Sequence, residues 1–83
     1  MSNEEIASEL RSHASELSRS GNNMYRIRAF RQAAMTILAL PTPVNTILTT
    51  TGRNGLQQLP GIGRSLAETI EGIATRSEMA AVR

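Results

Sequence analysis

The chain has 83 residues, among them nine arginines and seven glutamates, with no lysine, aspartate or cysteine, and a formal net charge of +2. That length supports one domain with one modest core and a stability of a few kcal/mol; the missing cysteines exclude a disulfide scaffold and a thiolate zinc site. No apolar run approaches the ~20 residues of a membrane span, and the acidic start at Glu4 and Glu5 is unlike a signal peptide, so the expectation is a cytoplasmic protein with no membrane partner.

The first segment, about 2–20, reads as an amphipathic helix. Ser2 and Glu5 form a capping-box pair, and the acids of the first turn suit the helix dipole. Ile6, Leu10, His13, Ala14 and Leu17 follow helical spacing, and Gly21 is placed to end the helix in a left-handed conformation. A second helix runs from about 24 to 40, capped by Asn22 or Asn23, with Ile27, Phe30, Ala34, Ile37 and Leu38 on its apolar face and Pro41 as its stop. "PTPVNTILTTTG" predicts a short third helix with Thr42 as cap, Pro43 at the first position, Val44, Ile47 and Leu48 packing, and Gly52 at its end. A one-turn helix around 54–58 leads into Pro60-Gly61-Ile62-Gly63, and a last helix spans about 64–75 with Leu66, Ile70 and Ile73 facing inward. Nothing alternates with period two, so no strands are expected. The predicted class is all-α: a compact bundle of four to five short helices over 1–76, followed by a tail, 77–83, that is a loose turn of helix or disordered.

Charge is distributed unevenly. Residues 17–67 hold six arginines and no acid, a local +6, whereas residues 1–16 carry four glutamates and one arginine, −3, and residues 68–83 three glutamates and two arginines, −1. A basic middle points to an anionic partner such as a nucleic-acid backbone; a solvated arginine surface is the plainer alternative.

The stretch "LPGIGRSLAETI", residues 59–70, joins two short helices, with apolar residues at 56, 59, 62, 66 and 70. It resembles a helix-hairpin-helix motif. Glycines at 61 and 63 permit unusual backbone angles and close approach, and the amides of the turn and of the helix start form a site for a phosphate oxygen, helped by the helix dipole. Such a turn reads backbone rather than bases. A tight connection between packed helices is the bland reading of the same residues; Arg64 and Ser65 at the helix start favour phosphate.

"YRIRAFRQAA", residues 25–34, followed about 25 residues later by "LPGIGRSLAETIEGI", resembles the small N-terminal domain of family X DNA polymerases over roughly residues 3–76. The resemblance implies a helical bundle that binds the 5′-phosphate side of gapped DNA and, in several members, removes a 5′-deoxyribose phosphate by Schiff-base chemistry. It places Arg26 at the family's phosphate-pocket basic residue and Phe30 at the neighbouring aromatic, which here lacks the hydroxyl. The family's further lysines correspond to Gln57, Ser65 and, for the lyase nucleophile, Thr69. It also implies a monovalent cation, Na+ or K+, on the backbone carbonyls of Gln57, Leu59 and Ile62.

Lyase chemistry needs an amine that is neutral part of the time. Arginine, with a pKa above about 12, cannot supply it, the chain has no lysine, and the one remaining amine, at the N-terminus, is not expected to hold the geometry that catalysis needs, so no enzymatic activity is expected and no catalytic residue is assigned. Glu68 and Glu71 share a face of the last helix without a ligand set for a metal and read as a solvated face. His13 reads as a packed boundary residue, and Ser12, Ser15 and Ser18 as helix surface. Arg28 points to solvent opposite the apolar face, Arg26 borders a pocket shared with the hairpin, and Arg31 lies nearest the apolar side, where it would pair with a first-helix glutamate. Arg53 is a further phosphate candidate. Tyr25 stacks on an exposed base or is simply a surface or core aromatic, and Met24, Met35 and Met79 pack. The expected site is therefore Gly61, Ile62, Gly63, Arg64, Ser65, Arg26, Arg28 and Phe30, holding DNA without sequence specificity, at gapped or 5′-phosphorylated DNA in repair. A protein-interaction module, with an exposed apolar patch at Val44, Leu48 and Met79–Val82, is the rival, and a fragment of a family X polymerase a third reading. A monomer or weak dimer is expected, with DNA, or in the rival reading a protein, as partner.

Overall fold

Five helices follow one another: α1 (Asn3–Arg19), α2 (Met24–Ala39), α3 (Val44–Thr50), α4 (Arg53–Gln57) and α5 (Arg64–Ala81). The computed structural model describes residues 2–21 and 23–81, with side chains as far as Arg76, and no strand occurs among the described residues. The all-α class and the helix order agree with the sequence reading.

Among the first three helices, each start has a local side-chain cap, with one exception. At α1 the Ser2 hydroxyl accepts from the Glu5 amide at 3.1 Å, and the Glu5 carboxylate accepts from the Ser2 amide at 2.9 Å. Those bonds hold the Glu5 carboxyl below its ordinary pKa, the backbone amide of Ser2 contributing most and its hydroxyl next. Gly21 closes the helix at φ +72°. α2 is capped by Asn23, whose Oδ1 accepts from the Tyr25 amide at 2.8 Å; Asn22, the alternative cap, lies outside the described residues.

The exception is α3. Thr42 does not cap it, and Pro43 is itself the capping residue rather than the first helical one. Pro43 has no polar side chain to offer the orphan amides, so the cap comes from a distant part of the chain. Asn3 on α1 accepts from the Val44 amide and donates to the Thr42 carbonyl, both at 2.9 Å. Thr49, Thr50 and Thr51 then donate their hydroxyls to the carbonyls of Asn45, Thr46 and Ile47, one turn earlier. These bonds satisfy the hydroxyls without favouring the helix, and the intrinsic propensity of the β-branched run is poor, so α3 depends on its packing and on the Asn3 cap. α4 begins one residue before the expected start, straight after Gly52, and packs against the end of α3. A β-carbon at Gly55 would stand 1.9 Å from Thr51 Oγ1 and 2.9 Å from Ile47 Cγ2, so only glycine admits this approach.

α5 runs past the expected end near 75 to Ala81, which replaces the loose tail predicted from Ser77 with continuous helix over the described backbone. After Gly72 nothing in "IATRSEMAA" breaks a helix, and most of it propagates one well.

Ile6, Leu10, Ile37, Val44, Leu56 and Ile70 form the fully buried centre of one core to which all five helices contribute. Leu66 is half-buried and packs against the core, as expected. Three expectations are corrected here: Leu38 is exposed, and Met24 and Met35, expected to pack, are 63% and 62% exposed. α2 presents these side chains on its outer surface because Ile27, Phe30, Ala33, Ala34 and Ile37 already fill its inner stripe. The patch expected of an interaction module is not at Val44 and Leu48, since Val44 is fully buried and Leu48 packs against the core. The side chains of Met79, Ala80, Ala81 and Val82 lie outside the described residues. No single helix among the described residues is long and apolar enough to cross a membrane.

Candidate nucleic-acid interface

The connection between α4 and α5 is pinned from within and from outside. Leu56 and Ile62 are buried on either side of it. The Leu59 amide donates to the Leu56 carbonyl, and the Ile62 amide to the Leu59 carbonyl, each at 3.1 Å. Gly61 takes φ +77°, the left-handed region that a β-carbon disfavours. Two residues of α2 brace the turn. Thr36 Oγ1 donates to the Pro60 carbonyl at 3.0 Å, and a β-carbon at Gly61 would lie 3.1 Å from Gln32 Cγ. Neither Thr36 nor Gln32 was visible as a site residue in the sequence. Their place on the helix is legible there, but what lies beside them is not.

This geometry alters the expected roles of the turn. Ile62 was expected to offer its amide to a phosphate, yet that N–H is taken by the Leu59 carbonyl and the side chain is a core plug, 3% exposed. Gly63 was expected to need an unusual backbone angle, yet only Gly61 has one; a β-carbon at Gly63 would meet nothing within 4 Å. What Gly63 supplies is bare backbone at a helix start. The first bond of the α5 ladder runs from the Ala67 amide to the Gly63 carbonyl at 2.9 Å. The amides of Arg64, Ser65 and Leu66 therefore precede the ladder, at the positive end of the α5 dipole.

A cleft of about 300 Å³ opens between that helix start and the first turns of α2. Arg26, Phe30, Gly61, Gly63, Arg64 and Ser65 line it, with Tyr25 at its edge. Six of the eight predicted site residues thus meet at one place, from segments over thirty residues apart. Arg28 does not: it is exposed on α2, away from the cleft lining, as its helical position predicts. Phe30 is 7% exposed, so its part is structural. Its ring packs against His13 at 5.8 Å, and the Arg26 guanidinium sits 5.9 Å from its centroid, a cation–π contact that fixes the arginine at the cleft. Tyr25 is 78% exposed, so it is a surface aromatic and not a core one.

Residues 1–79 match the family profile of the helix-hairpin-helix domain. The chain belongs to that family. Helix-hairpin-helix domains generally bind DNA without reading its sequence, and here α4, the turn and α5 are the motif while α1 to α3 complete its core. No curated protein matches the chain.

On the other side of the hairpin, Thr51, Gly52, Arg53, Asn54, Gln57 and Arg64 line a second, wider cleft of about 530 Å³. Arg53 is committed within it: Nη1 lies 3.1 Å from Glu68 Oε1, and Nε 3.1 Å from Glu71 Oε1. Glu68 and Glu71 form the solvated face expected of them, with side chains 52% and 39% exposed, and in addition pair across the two helices of the motif through that guanidinium. Arg64 Nε lies 3.9 Å from the same Glu68 oxygen, and the Arg64 side chain is 85% exposed. Arg31 is exposed and forms no ion pair among the described residues, so the expected bond to a first-helix glutamate is absent.

Of the carbonyls that the resemblance assigned to a cation, that of Leu59 accepts the Ile62 amide and keeps one lone pair, while no amide among the described residues donates to those of Gln57 and Ile62. Uncharged oxygen donors of this kind suit a hard cation. Thr69 is half-buried and donates its hydroxyl to the Ser65 carbonyl at 3.1 Å, one turn back in α5.

Proposed function

We propose that this helix-hairpin-helix domain holds DNA by a backbone phosphate seated in the cleft between the starts of α2 and α5. The observation that carries the reading is the convergence there of two arginines, Arg26 and Arg64, with the side-chain-free backbone of Gly61 and Gly63 and the leading amides of α5. Charge, dipole and unspent N–H groups of one sign meet in a place where a phosphate oxygen can approach the main chain. None of these groups discriminates among bases, so recognition is of backbone and shape.

The finer reading is a preference for gapped or 5′-phosphorylated DNA, as at a repair intermediate. It is supported by the likeness to the family X polymerase N-terminal domain and by the exposed Tyr25 at the cleft edge, which offers an aromatic face to an unpaired base. On this reading the domain binds without cleaving, because the chain has no lysine and Thr69 offers only a hydroxyl bonded to its own helix. The carbonyls of Gln57, Leu59 and Ile62 would hold a monovalent cation, which supplies positive charge beside the phosphate.

With about two to four phosphates neutralised, the logarithm of affinity falls against that of salt with a slope of about −2 to −4. The test is fluorescence anisotropy on a labelled gapped duplex, with and without a 5′-phosphate in the gap, at two salt concentrations. Salt-sensitive binding that Arg64→Ala and Arg26→Ala both weaken supports the cleft. An affinity unchanged between low and moderate salt, or no binding by the folded protein, refutes it; equal affinity for the two gaps removes only the 5′-phosphate preference.

A further inference from the structure

Arg64 stands between the two clefts and lines both. In the free protein one oxygen, Glu68 Oε1, faces two guanidinium groups: Arg53 at 3.1 Å and Arg64 at 3.9 Å. Glu71 touches only Arg53. The two contacts of Glu68 differ in kind. The Arg53 contact belongs to a two-carboxylate clamp between α4 and α5, and both acids and the arginine are partly screened by one another. The Arg64 contact is long, within a single helix, and carried by a side chain almost wholly in water.

From this arrangement, which rests on the phosphate reading of the first cleft, we infer that Glu68 is a competitor of DNA for Arg64 and sets how tightly the domain binds. An exposed ion pair shifts an equilibrium by no more than about fivefold. A phosphate in the first cleft offers Arg64 a charged acceptor together with the α5 amides, so the guanidinium leaves Glu68 when DNA arrives. The carboxylate stays with Arg53. Glu68 therefore weakens binding by engaging Arg64 in the free state.

The experiment uses the full chain and the 5′-phosphorylated gapped duplex at low salt. Glu68→Gln is expected to tighten binding about three- to fivefold, and Glu16→Gln, an exposed acid on α1, less than about twofold. Placing Glu68→Gln in an Arg64→Ala background is expected to abolish most of that gain, since the competition then has no object. A merely structural Glu68 would behave differently: its loss would leave affinity the same or poorer. Because either role loosens the Arg53 contact, melting curves on each variant accompany the titrations to confirm that it is folded. A Glu68→Gln gain no larger than that of Glu16→Gln overturns this inference alone, as does a gain that persists in full without Arg64. A wild-type protein that binds no DNA overturns the phosphate reading as well, and the two failures are told apart by that control.

Discussion

The two glycines of the turn make separable demands, and exchanging each for alanine tests the site more sharply than removing a charge. At Gly61 the backbone has φ +77° and an added β-carbon lies 3.1 Å from Gln32 Cγ. The left-handed conformation costs a residue with a β-carbon about 1–2 kcal/mol, and for a domain of this size each kcal/mol lowers Tm by about 4–8 °C. Gly61→Ala should therefore melt about 4–16 °C below the wild type. At Gly63 the backbone is not left-handed and an added β-carbon meets nothing within 4 Å, so Gly63→Ala adds no strain and costs only a poorer N-cap for α5, about 0.5–1 kcal/mol. The new methyl stands in the cleft, beside the main chain that a phosphate oxygen must approach to about 2.9 Å. Losing one charge-assisted hydrogen bond costs about 1.5–3 kcal/mol, roughly a 10- to 150-fold loss of affinity for DNA. Urea denaturation with unchanged slope measures the first quantity, and anisotropy titration the second. A Gly63→Ala protein that stays folded and binds DNA as well as the wild type would refute the placement of phosphate at this helix start. A Gly61→Ala protein of wild-type stability would refute the strained turn.

Three further expectations concern the scaffold. Asn3→Ala removes both hydrogen bonds that cap α3 from α1 and should destabilise by about 1–3 kcal/mol in urea; an unchanged midpoint would mean that α3 does not need the cap. Gly55→Ala forces a methyl into Thr51 and Ile47 and should cost about 1–3 kcal/mol, read from the same titration; a stable Gly55→Ala would mean that α4 can stand off from α3. Glu5 has a folded-state pKa below its unfolded value, so its contribution is present above the ordinary carboxylate range and is lost as pH falls through the acidic range. Thermal melts from neutral to acid pH should accordingly decline less steeply for Glu5→Gln than for the wild type, and parallel declines would remove Glu5 from the acid sensitivity of the fold.

Much of this protein is written locally. The capping box at Ser2 and Glu5, the left-handed stop at Gly21, the cap at Asn23 and the inner stripe of α2 depend on residues within a turn or two of each other, and spacing alone exposes them. The hairpin was legible for the same reason: Leu56, Leu59, Ile62, Leu66 and Ile70 mark two helices around a turn, and proline with glycine marks the turn. The site residues Arg26 and Arg64 could be named because each lies at a helix start that its own neighbours define. What the sequence could not show is whatever depends on the neighbour across the core. Thr42 looked like a cap until Asn3 arrived from α1 to take its place. Met35 and Leu38 looked like packing residues until Ala33, Ala34 and Ile37 had filled the inner face. Arg53 looked like a phosphate contact because the acids that pair with it belong to a different helix. Ile62 looked like an amide donor until the turn closed on its N–H. Helix starts, stops and stripes follow from backbone geometry and side-chain period, which are properties of nearby residues. Which polar groups are already spent, and which still face solvent with a charge or an N–H to offer, follows only once the helices have packed.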